Sequence, residues 1–522
     1  MRQCRKKNRE DAMESFDVLV IGSGIAGLCA ATGAARNGAK VALASAGKIM
    51  SGSSFFPGTW GLGLVGPIDE ADEQDLIDTI LKVGGRVADP ELVKTFVHGI
   101  PEAIKWLEND LDVTLKRPKD DESAHQKQFI PCFDHKTRMW RGLTRKPLET
   151  AFEREIERLE ITTLPHLELV DLVEGNNGQI VGGVFYANDR REITHIASKA
   201  TVIATGGTGG LFARSLTSGD VPSSAQGIAA QHGVELVNLE FMQMMPGLVA
   251  PKRNLVFNEK TWRYVHFDKL PAQDDVDLDR LLEMRSGYGP FTSRLPSRAI
   301  DLAIDRAGES GLSIRYDFPT HDIPEFVQTF TDWLEKDHGI KPTDSMRVAM
   351  YAHASNGGIK IDKRAQTSVK GLFACGEATG GMHGADRIGG LSSANGIVFG
   401  RIAGESAAAW ATSAVEVPMD KAPSIPNVGI TSQTAHKLNK RLKRTMSAYA
   451  MINRTERGLA TAQDTLAHIE LEMGKSSAWS ACPAETANLA RLNGQIALAK
   501  HMLAAMQARK RSLGSHYRAD SE

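Results

Sequence analysis

Cysteine is scarce in this chain, and the few that occur lack the spacing of a metal site. The 522 residues include 5 cysteines, and no two are spaced like the ligand pairs of a zinc or iron–sulfur centre. We therefore predict no metal site, and we expect reduced thiols, as in a cytoplasmic protein. The cysteines are Cys4, Cys29, Cys132, Cys375 and Cys482.

Net charge and long apolar runs are lacking as well. Lysine and arginine number 62 and aspartate and glutamate 63, so no overall field attracts nucleic acid or an anionic membrane. No apolar run approaches the length of a membrane span. The first dozen residues are polar and basic, so we expect no secretory signal, and either Met1 or Met13 begins the protein. This composition is typical of a soluble enzyme of about two to four domains.

Glycine, in contrast, is concentrated in segments that predict a nucleotide site. The first, 17–27, places Gly22, Gly24 and Gly27 between a short apolar strand and an alanine-rich helix. This is the context that the dinucleotide fingerprint requires, because glycine lets backbone N–H groups approach a phosphate closely. The next strand ends in Ser45, a weaker acceptor for ribose hydroxyls than the usual Asp or Glu.

A second glycine-rich segment, 371–390, lies about 350 residues further on and looks like the other half of the same site. It contains Glu377 and Arg387. Between the two halves lie a loop of small residues at 51–63, which could pass over a planar ring, and an apolar strand that runs into Gly206. Either half alone would be weak support for a nucleotide site.

Composition divides the chain into four stretches. We predict a Rossmann-like α/β domain in two parts, 1–237 and 349–416, which is interrupted by an α+β capping domain at 238–348. A linker at 417–427 precedes a C-terminal helical domain at 428–522. Apolar residues recur there at intervals of three and four positions, which predicts a helix with one apolar face. Its residues are Leu489, Leu492, Ile496, Ala499, Leu503 and Met506.

Nine segments, taken in order, resemble the flavoprotein family of fumarate reductase, succinate dehydrogenase and L-aspartate oxidase over nearly the whole chain. Several are individually common, but their order and spacing are specific. The resemblance implies FAD, a capping domain and a C-terminal helical domain. The matching segments are 22–27, 52–61, 204–207, 238–241, 295–298, 353–358, 367–400, 454–456 and 514–518.

The resemblance also implies how FAD is held. Members that link FAD covalently carry a histidine where this chain has Ser53, so we expect non-covalent FAD. Ser45 stands where an acidic residue usually binds the adenosine ribose, and Glu377 is expected to make that contact instead. The implied cofactor-binding residues are Gly22, Ser23, Gly24, Ala26, Gly27, Ser45, Ala46, Lys48, Gly52, Ser53, Ser54, Gly61, Ala204, Thr205, Gly206, Gly376, Glu377, Ser392 and Ser393.

Three residues are candidates for catalysis. Hydride transfer beside a carboxylate needs a clamp for that carboxylate, a flat electron acceptor and a proton donor or acceptor. Arg387 is the best clamp, because a guanidinium gives two parallel hydrogen bonds. His353 resembles the family's substrate-binding histidine. Arg298 resembles the proton-transfer arginine, although its neighbours differ from the family's pattern and an arginine is a poor base in solution.

Departures from the family bear on the substrate. Met245 stands where a substrate-binding histidine is usual, and a thioether cannot bind a carboxylate by charge. Asn258 replaces a Thr or Ser, while Gln243 fits the L-aspartate oxidase pattern. We expect substrate to be bound by Gln243, Met245, Asn258, His353 and Arg387. Two interpretations follow: either Arg263 or another cation binds a second carboxylate, or the substrate is larger and less charged at that end.

The sequence therefore predicts an FAD-dependent oxidoreductase that moves hydride between flavin and a carbon next to a carboxylate. The alternatives are an L-aspartate oxidase that forms iminoaspartate and, of another class, a catalytically silent flavin-binding subunit or scaffold. A separate electron-transfer protein is a further expected partner, and the basic residues at 437–444 could dock it, although a solvated helix face is the favoured interpretation.

Overall fold

The computed structural model of the protein describes residues 15–59, 61–117, 133–134, 136–268, 277–319, 323–414 and 428–521. Cys4, Cys132, both candidate start methionines and the predicted linker at 417–427 lie outside these residues. Within these ranges, no helix has the length and apolar character that crossing a bilayer requires. The same ranges contain no group of His, Cys, Asp and Glu side chains that could hold a metal ion.

Strands β1 to β19 follow one another along these ranges. Their bounds are Ser15–Ile21, Val41–Ala44, Leu62–Gly66, Met139–Leu143, Thr162–Leu164, Leu167–Glu174, Ile180–Ala187, Glu192–Ile203, Leu236–Val237, Met242–Ala250, Leu255–Val256, Val265–Phe267, Leu312–Tyr316, Met346–Ser355, Gly358–Lys360, Leu372–Ala374, Thr379–Gly380, Val428–Gly429 and Ala478–Trp479.

Helices α1 to α12 are numbered in the same way. Their bounds are Ile25–Arg36, Glu70–Val83, Pro90–Lys105, Arg145–Arg158, Ala225–Gln231, Leu278–Ser286, Arg298–Arg306, Glu325–His338, Leu391–Ser413, Ser432–Tyr449, Glu456–Ser476 and Pro483–Ala508. Side-chain caps start several of them: Asp89 accepts hydrogen bonds at the start of α3, and Thr431 and Thr455 cap α10 and α11.

The main sheet has the strand order β5-β2-β1-β8-β7-β6, and β16 pairs with β8. Strands β1, β2, β5, β8 and β16 run parallel, whereas β6 and β7 extend the sheet in an antiparallel hairpin. The apolar residues of β1 and β2 are buried, as expected for parallel strands covered on both faces. This confirms the α/β fold class predicted from the sequence.

The second part of this domain returns to the sheet through β16 and α9. Helix α9 packs directly on α1, and the approach is close enough to require glycine. A methyl group at Gly404 would lie 2.1 Å from the carbonyl oxygen of Ala30. Residues from both ends of the chain therefore build one layered unit.

The cap contains a sheet of order β11-β10-β14-β13-β12, whose pairs are all antiparallel. Helices α6, α7 and α8 belong to the same stretch of chain. Strand β14 runs through the boundary that we predicted after Val348 and continues the cap sheet to Ser355. The composition change marks where the glycine-rich pattern resumes, but the backbone pairing continues further, because β14 pairs with β10 along most of its length.

The three C-terminal helices, α10 to α12, share an apolar core with the cap. The predicted apolar face of the last helix is confirmed, since Leu492, Ile496, Ala499, Leu503 and Met506 are buried in this core. Leu489 is partly buried at its edge.

The residues 509–518 form a C-terminal strap that leaves α12 and returns to the other two domains. The backbone N–H of Ser515 donates to Ala385 O at 3.1 Å, and the Ser293 N–H of the cap donates to Gly514 O at 2.8 Å. The strap therefore touches the segment that carries Arg387.

Candidate active site

A cavity of about 470 Å³ lies between the main sheet and the cap. Its floor is formed where parallel strands β1, β2 and β8 end, at Ile21, Ser45 and Ala204. Ligands of open α/β sheets bind at this carboxyl edge. Loop residues at 51–63, the start of α9 and the cap residues complete the wall.

The first glycine turn has the geometry that the sequence predicts. Gly22 has a φ of 112°, and a methyl group there would lie 2.3 Å from Ala204 O. A methyl at Gly27 would lie 1.8 Å from Gly22 O. A methyl group at Gly24, by contrast, would meet no atom closer than 3.6 Å, and Gly24 borders the cavity. The outer glycines therefore close the turn, and the middle one leaves room for a ligand at the start of α1.

The polar atoms of the wall fit a nucleotide with many hydrogen-bonding groups. Thr205 Oγ1 and Asp220 Oδ1 are buried on the cavity and have no hydrogen-bond partner among the described residues. A buried polar atom without a partner costs free energy, so a ligand that supplies one is favoured. FAD would be held here by the glycine turn, by the loop around Gly52–Ser54 and by the start of α9.

Most of the predicted cofactor-binding residues line the cavity, and two do not. Lys48 has an exposed side chain, and its carbonyl oxygen accepts hydrogen bonds from Ser45 and Ser23. Gly27 packs on the carbonyl of Gly22. Both residues shape the turn and do not border the cavity.

The two candidate ribose acceptors are already bonded within the chain. Ser45 Oγ accepts from Ser23 Oγ at 2.9 Å and donates to Lys48 O at 3.1 Å. Glu377 Oε1 accepts from the Ser355 N–H at 2.8 Å, and burial raises the pKa of its carboxyl. Both line the cavity, and the ribose contact of Glu377 stays a prediction. Ser53 starts a short 3₁₀ turn on the wall, and non-covalent attachment of FAD stays a prediction.

Arg387 and His353 both line the cavity, and the charge of Arg387 acts on His353. Arg387 is 7% exposed, and its Nε donates to Gln243 Oε1 at 3.0 Å. Gln243 Nε2 in turn donates to Arg387 O at 3.2 Å, so the amide holds both the backbone and the guanidinium. Burial, with a contribution from the Arg387 charge, lowers the pKa of His353 to about 3, so the imidazole is neutral.

Gln243 is placed differently from our prediction. We expected it to bind substrate, but it is fully buried and does not border the cavity. Its two hydrogen bonds to Arg387 are the physical reason, because they occupy both ends of the amide. Gln243 is thus a positioning residue for the arginine.

Asn258 also lies behind the wall. Its Oδ1 accepts from the Lys260 N–H at 3.0 Å and its amide donates to Phe326 O, so it caps a 3₁₀ turn at 259–264. Arg298 lies outside the lining too: its Nη1 donates to Ser293 O at 2.6 Å, and its guanidinium lies 5.5 Å from the Tyr517 ring centroid.

The cation that we considered as a second anion-binding residue is not at the site. Arg263 is exposed, and its Nη2 lies 3.0 Å from Glu283 Oε1. Lys260 lines the cavity instead, with its Nζ 4.5 Å from the Phe326 ring centroid. Glu259 is the other charged cap residue on the wall, and burial raises the pKa of its carboxyl.

Sequence reasoning missed Glu259, Lys260, Asp220 and Trp140 as wall residues. Glu259 could have been found, because it follows Asn258 in a segment that we had already singled out. Trp140 could not, because it lies on β4, which pairs with the distant β3 and carries no motif of its own.

A glycine turn at the carboxyl edge of a parallel sheet, beneath a cap, is typical of an enzyme that uses a dinucleotide. The sequence comparisons make this more specific. The FAD binding domain family matches residues 17–260 and 266–393, and the chain belongs to it. The family of fumarate reductase flavoprotein C-terminal regions matches residues 439–522. The protein is an FAD-dependent oxidoreductase of the fumarate reductase and L-aspartate oxidase type.

Relatives support this assignment along most of the chain. An uncharacterised FAD-dependent oxidoreductase of Methanocaldococcus jannaschii is 26% identical and covers 97% of this chain and 93% of its own. The fumarate reductase flavoprotein subunit of Escherichia coli is 28% identical over 77% of this chain and 69% of its own. The L-aspartate oxidase of Halobacterium salinarum is 28% identical over 88% of both chains.

Solved structures share the fold. The Sdh1 complex of Mycobacterium smegmatis aligns with a TM-score of 0.79 at 22% identity and covers 97% of this chain and 89% of that one. Quinol fumarate reductase of E. coli aligns with a TM-score of 0.77 at 22% identity over 97% and 92%.

Proposed function

We propose that the enzyme moves hydride between its flavin and a carbon–carbon bond beside a carboxylate, reducing a conjugated enoate or oxidising the saturated acid. The observation that supports this most is Arg387, a buried guanidinium on the cavity wall that Gln243 holds from two sides. A cation fixed next to a flavin site is the part that recognition of a carboxylate needs most.

Arg387 and His353 would act on the same carboxylate. Each charge-assisted hydrogen bond from the guanidinium contributes about 1.5–3 kcal/mol. When it is bound, FAD supplies a two-electron carrier that can give or take a hydride. As hydride adds to the double bond, negative charge grows towards the carboxylate, and Arg387 stabilises that charge without having to reorganise. The neutral His353 can donate one hydrogen bond without adding a second charge.

The reduction also consumes a proton, and we propose Glu259 as its donor. It lines the cavity, and its pKa is raised by burial, against the opposing charges of Lys260, Arg285 and Arg387. An acid with a raised pKa keeps its proton closer to neutral pH, which suits a general acid. Arg298 remains the alternative suggested by the family resemblance, although its side chain lies outside the lining.

L-aspartate oxidation is the second candidate, because a relative of that name matches 88% of this chain. Aspartate would reduce the flavin and bleach its absorbance, and oxaloacetate would form after hydrolysis of the imine. A silent scaffold is the third candidate, suggested by Met245. It predicts bound flavin without consumption of any acid.

One set of variants tests the leading proposal. Purified holoenzyme is reduced with viologen and supplied with a panel of unsaturated acids while dye oxidation is followed. Arg387→Ala is expected to lower kcat/KM by about 100-fold or more, because two charged hydrogen bonds are lost. Glu259→Gln is expected to lower kcat more than it raises KM.

Arg263→Ala is the matched control, because this arginine is exposed and outside the cavity, and its activity should equal that of the wild type. Full activity of Arg387→Ala would exclude the proposed clamp. Bleaching of the flavin by aspartate, with no enoate reduced, would favour the second candidate.

Electrons must reach the flavin from outside the cavity, and we propose a separate donor protein. The support is that two relatives, both from fumarate reductases, are single subunits of their enzymes. The basic residues at 437–444 are a weak candidate for its docking surface, because Lys437 and Arg441 are already paired with Glu472.

A further inference from the structure

An apolar surface, formed by cap residues and by Leu216 of the FAD-binding domain, faces the cavity. Leu216, Met245 and Val256 line the cavity, and they belong to a small apolar cluster that is separate from the main cores. Ala349 and Tyr351 complete the cluster behind them. The Tyr351 hydroxyl is turned away to donate to Leu248 O at 3.0 Å. Carbon and sulfur atoms are therefore what this surface offers to a ligand.

This surface lies within reach of the proposed carboxylate position. Met245 on β10 is opposite Tyr351 on β14, and His353 follows two residues further along β14. Two residues of a strand span about 7 Å. An acid bound by His353 and Arg387 would thus place a group attached to its β-carbon on Met245.

Ionisable side chains are few on the cap wall. Among the described cap residues that line the cavity, Lys260 is the one basic residue and Glu259 the one acidic residue, and they are neighbours in sequence. The Lys260 ammonium also lies against the face of the Phe326 ring, where a cation is attracted by the ring electrons. With Arg263 turned outward and His353 neutral, the cations on this side are Arg387 and the Lys260 ammonium, which lies on the Phe326 ring.

We propose that the substrate is a monocarboxylic 2-enoic acid with an apolar β-substituent, aromatic or branched aliphatic, and not a dicarboxylic acid. The proposal rests on the proposed function. In the reaction, hydride passes from reduced flavin to the β-carbon and the π bond breaks. Its electron pair moves to the α-carbon and the carboxylate, and a proton then adds to the α-carbon. The acid is reduced by two electrons, and an external electron donor reduces the flavin again.

The physical reason is the cost of the alternative. A second carboxylate placed against Met245, Leu216 and Val256 would lose its hydration without gaining a partner. An apolar substituent on the same surface gains the burial of its own carbons. A single methylene in such a pocket changes kcat/KM by about 10- to 200-fold.

The test compares acids that share the 2-enoate group and differ in the substituent on the β-carbon. Holoenzyme with viologen reduced by dithionite is assayed with crotonate, 4-methylpent-2-enoate, cinnamate and fumarate at pH 7.5. We expect kcat/KM to rise with the size of the apolar end of the acid. The kcat/KM for fumarate is expected to be at least about 100-fold lower than that for the best monocarboxylic acid.

Fumarate as the best substrate would overturn the proposal and leave the proposed function intact. If no acid is consumed while the flavin remains bound, both are overturned.

A pair of variants checks the surface itself. Met245→Gln is expected to lower kcat/KM for cinnamate by at least about 10-fold and that for crotonate by less, because crotonate covers less of the surface. Met284→Gln, in the cap but outside the cavity, is the matched control. Equal losses for both acids in Met245→Gln would count against contact with the substituent. Lys260→Met is expected to leave the order of substrates unchanged, and a selective loss of fumarate turnover would instead identify a dicarboxylate site.

Discussion

A buried arginine that binds substrate must be held firmly and must keep its charge. In this site the brace is Gln243, which bonds the Nε and the backbone carbonyl of Arg387. An amide is neutral, so it fixes the guanidinium without adding a negative charge that would compete with a carboxylate. The choice of glutamine over a carboxylate at this position therefore has a chemical consequence for binding.

At this scale we predict that Gln243→Leu lowers kcat/KM by about 10-fold, since one charge-assisted bond worth about 1.5–3 kcal/mol is lost. Gln243→Glu should lower it further and mainly by raising KM, because a carboxylate would neutralise Arg387. Steady-state assays with reduced viologen measure both. Gln328→Leu, on the exposed face of α8, is the control. A purely structural role would reduce the flavin content of both variants and would not make glutamate worse than leucine.

At the scale of elements, a break in strand pairing positions His353. Gln243 is opposite Ala354 and Met244 is opposite Ala352, so His353 has no partner on β10. An extra residue of this kind bends the strand and re-aims its side chains. Both His353 and Ala354 line the cavity, which regular alternation along a strand would not allow.

The turn between β1 and α1 gives a prediction at this scale. Gly22→Ala is expected to abolish flavin binding, because its φ of 112° and a contact of 2.3 Å to Ala204 O leave no place for a methyl group. The flavin-to-protein absorbance ratio of the purified protein measures this. Gly474→Ala in α11, where a methyl group meets nothing within 4 Å, should keep a full complement. Normal flavin content in Gly22→Ala would contradict the turn geometry.

On the scale of the whole molecule, the C-terminal strap joins all three domains. It bonds Ala385 of the FAD-binding domain and Ser293 of the cap, and His516 Nδ1 lies 2.7 Å from Arg454 Nη1 of the helical domain. Burial, followed by the charge of Arg454, lowers the pKa of His516 to about 2. The strap is therefore docked with a neutral histidine.

This state sets a pH dependence. The pKa of His516 is lower in the folded protein than in the unfolded chain, so its contribution to stability is complete above about pH 6.5 and is lost as the pH falls towards 2. Between pH 7.5 and 5 the loss is of the order of 2 kcal/mol. We expect the Tm of the wild type to fall by a few degrees more than that of His516→Gln over this range. Scanning fluorimetry measures the difference, and parallel curves would contradict it.

Sequence predicts local parts of this protein better than distant contacts. The turn at Gly22 could be predicted because strand, glycines and helix follow one another directly. The brace between Gln243 and Arg387 could not, since it joins residues 144 positions apart. Nor could the sequence say which of Lys260 and Arg263 faces the cavity, because that depends on how their shared turn packs. The bulge at His353 is likewise a property of strand register, which the sequence does not display.

The cavity also bears on how the enzyme is made. Its wall takes Gly22 from the first strand, Lys260 from the cap and Arg387 from the returning segment, and the strap bonded to Ala385 comes from the last residues of the chain. A nascent polypeptide therefore has no complete pocket until the returning segment with Arg387 has left the ribosome. Cofactor loading should follow the synthesis of this segment, and products truncated before Arg387 should emerge colourless.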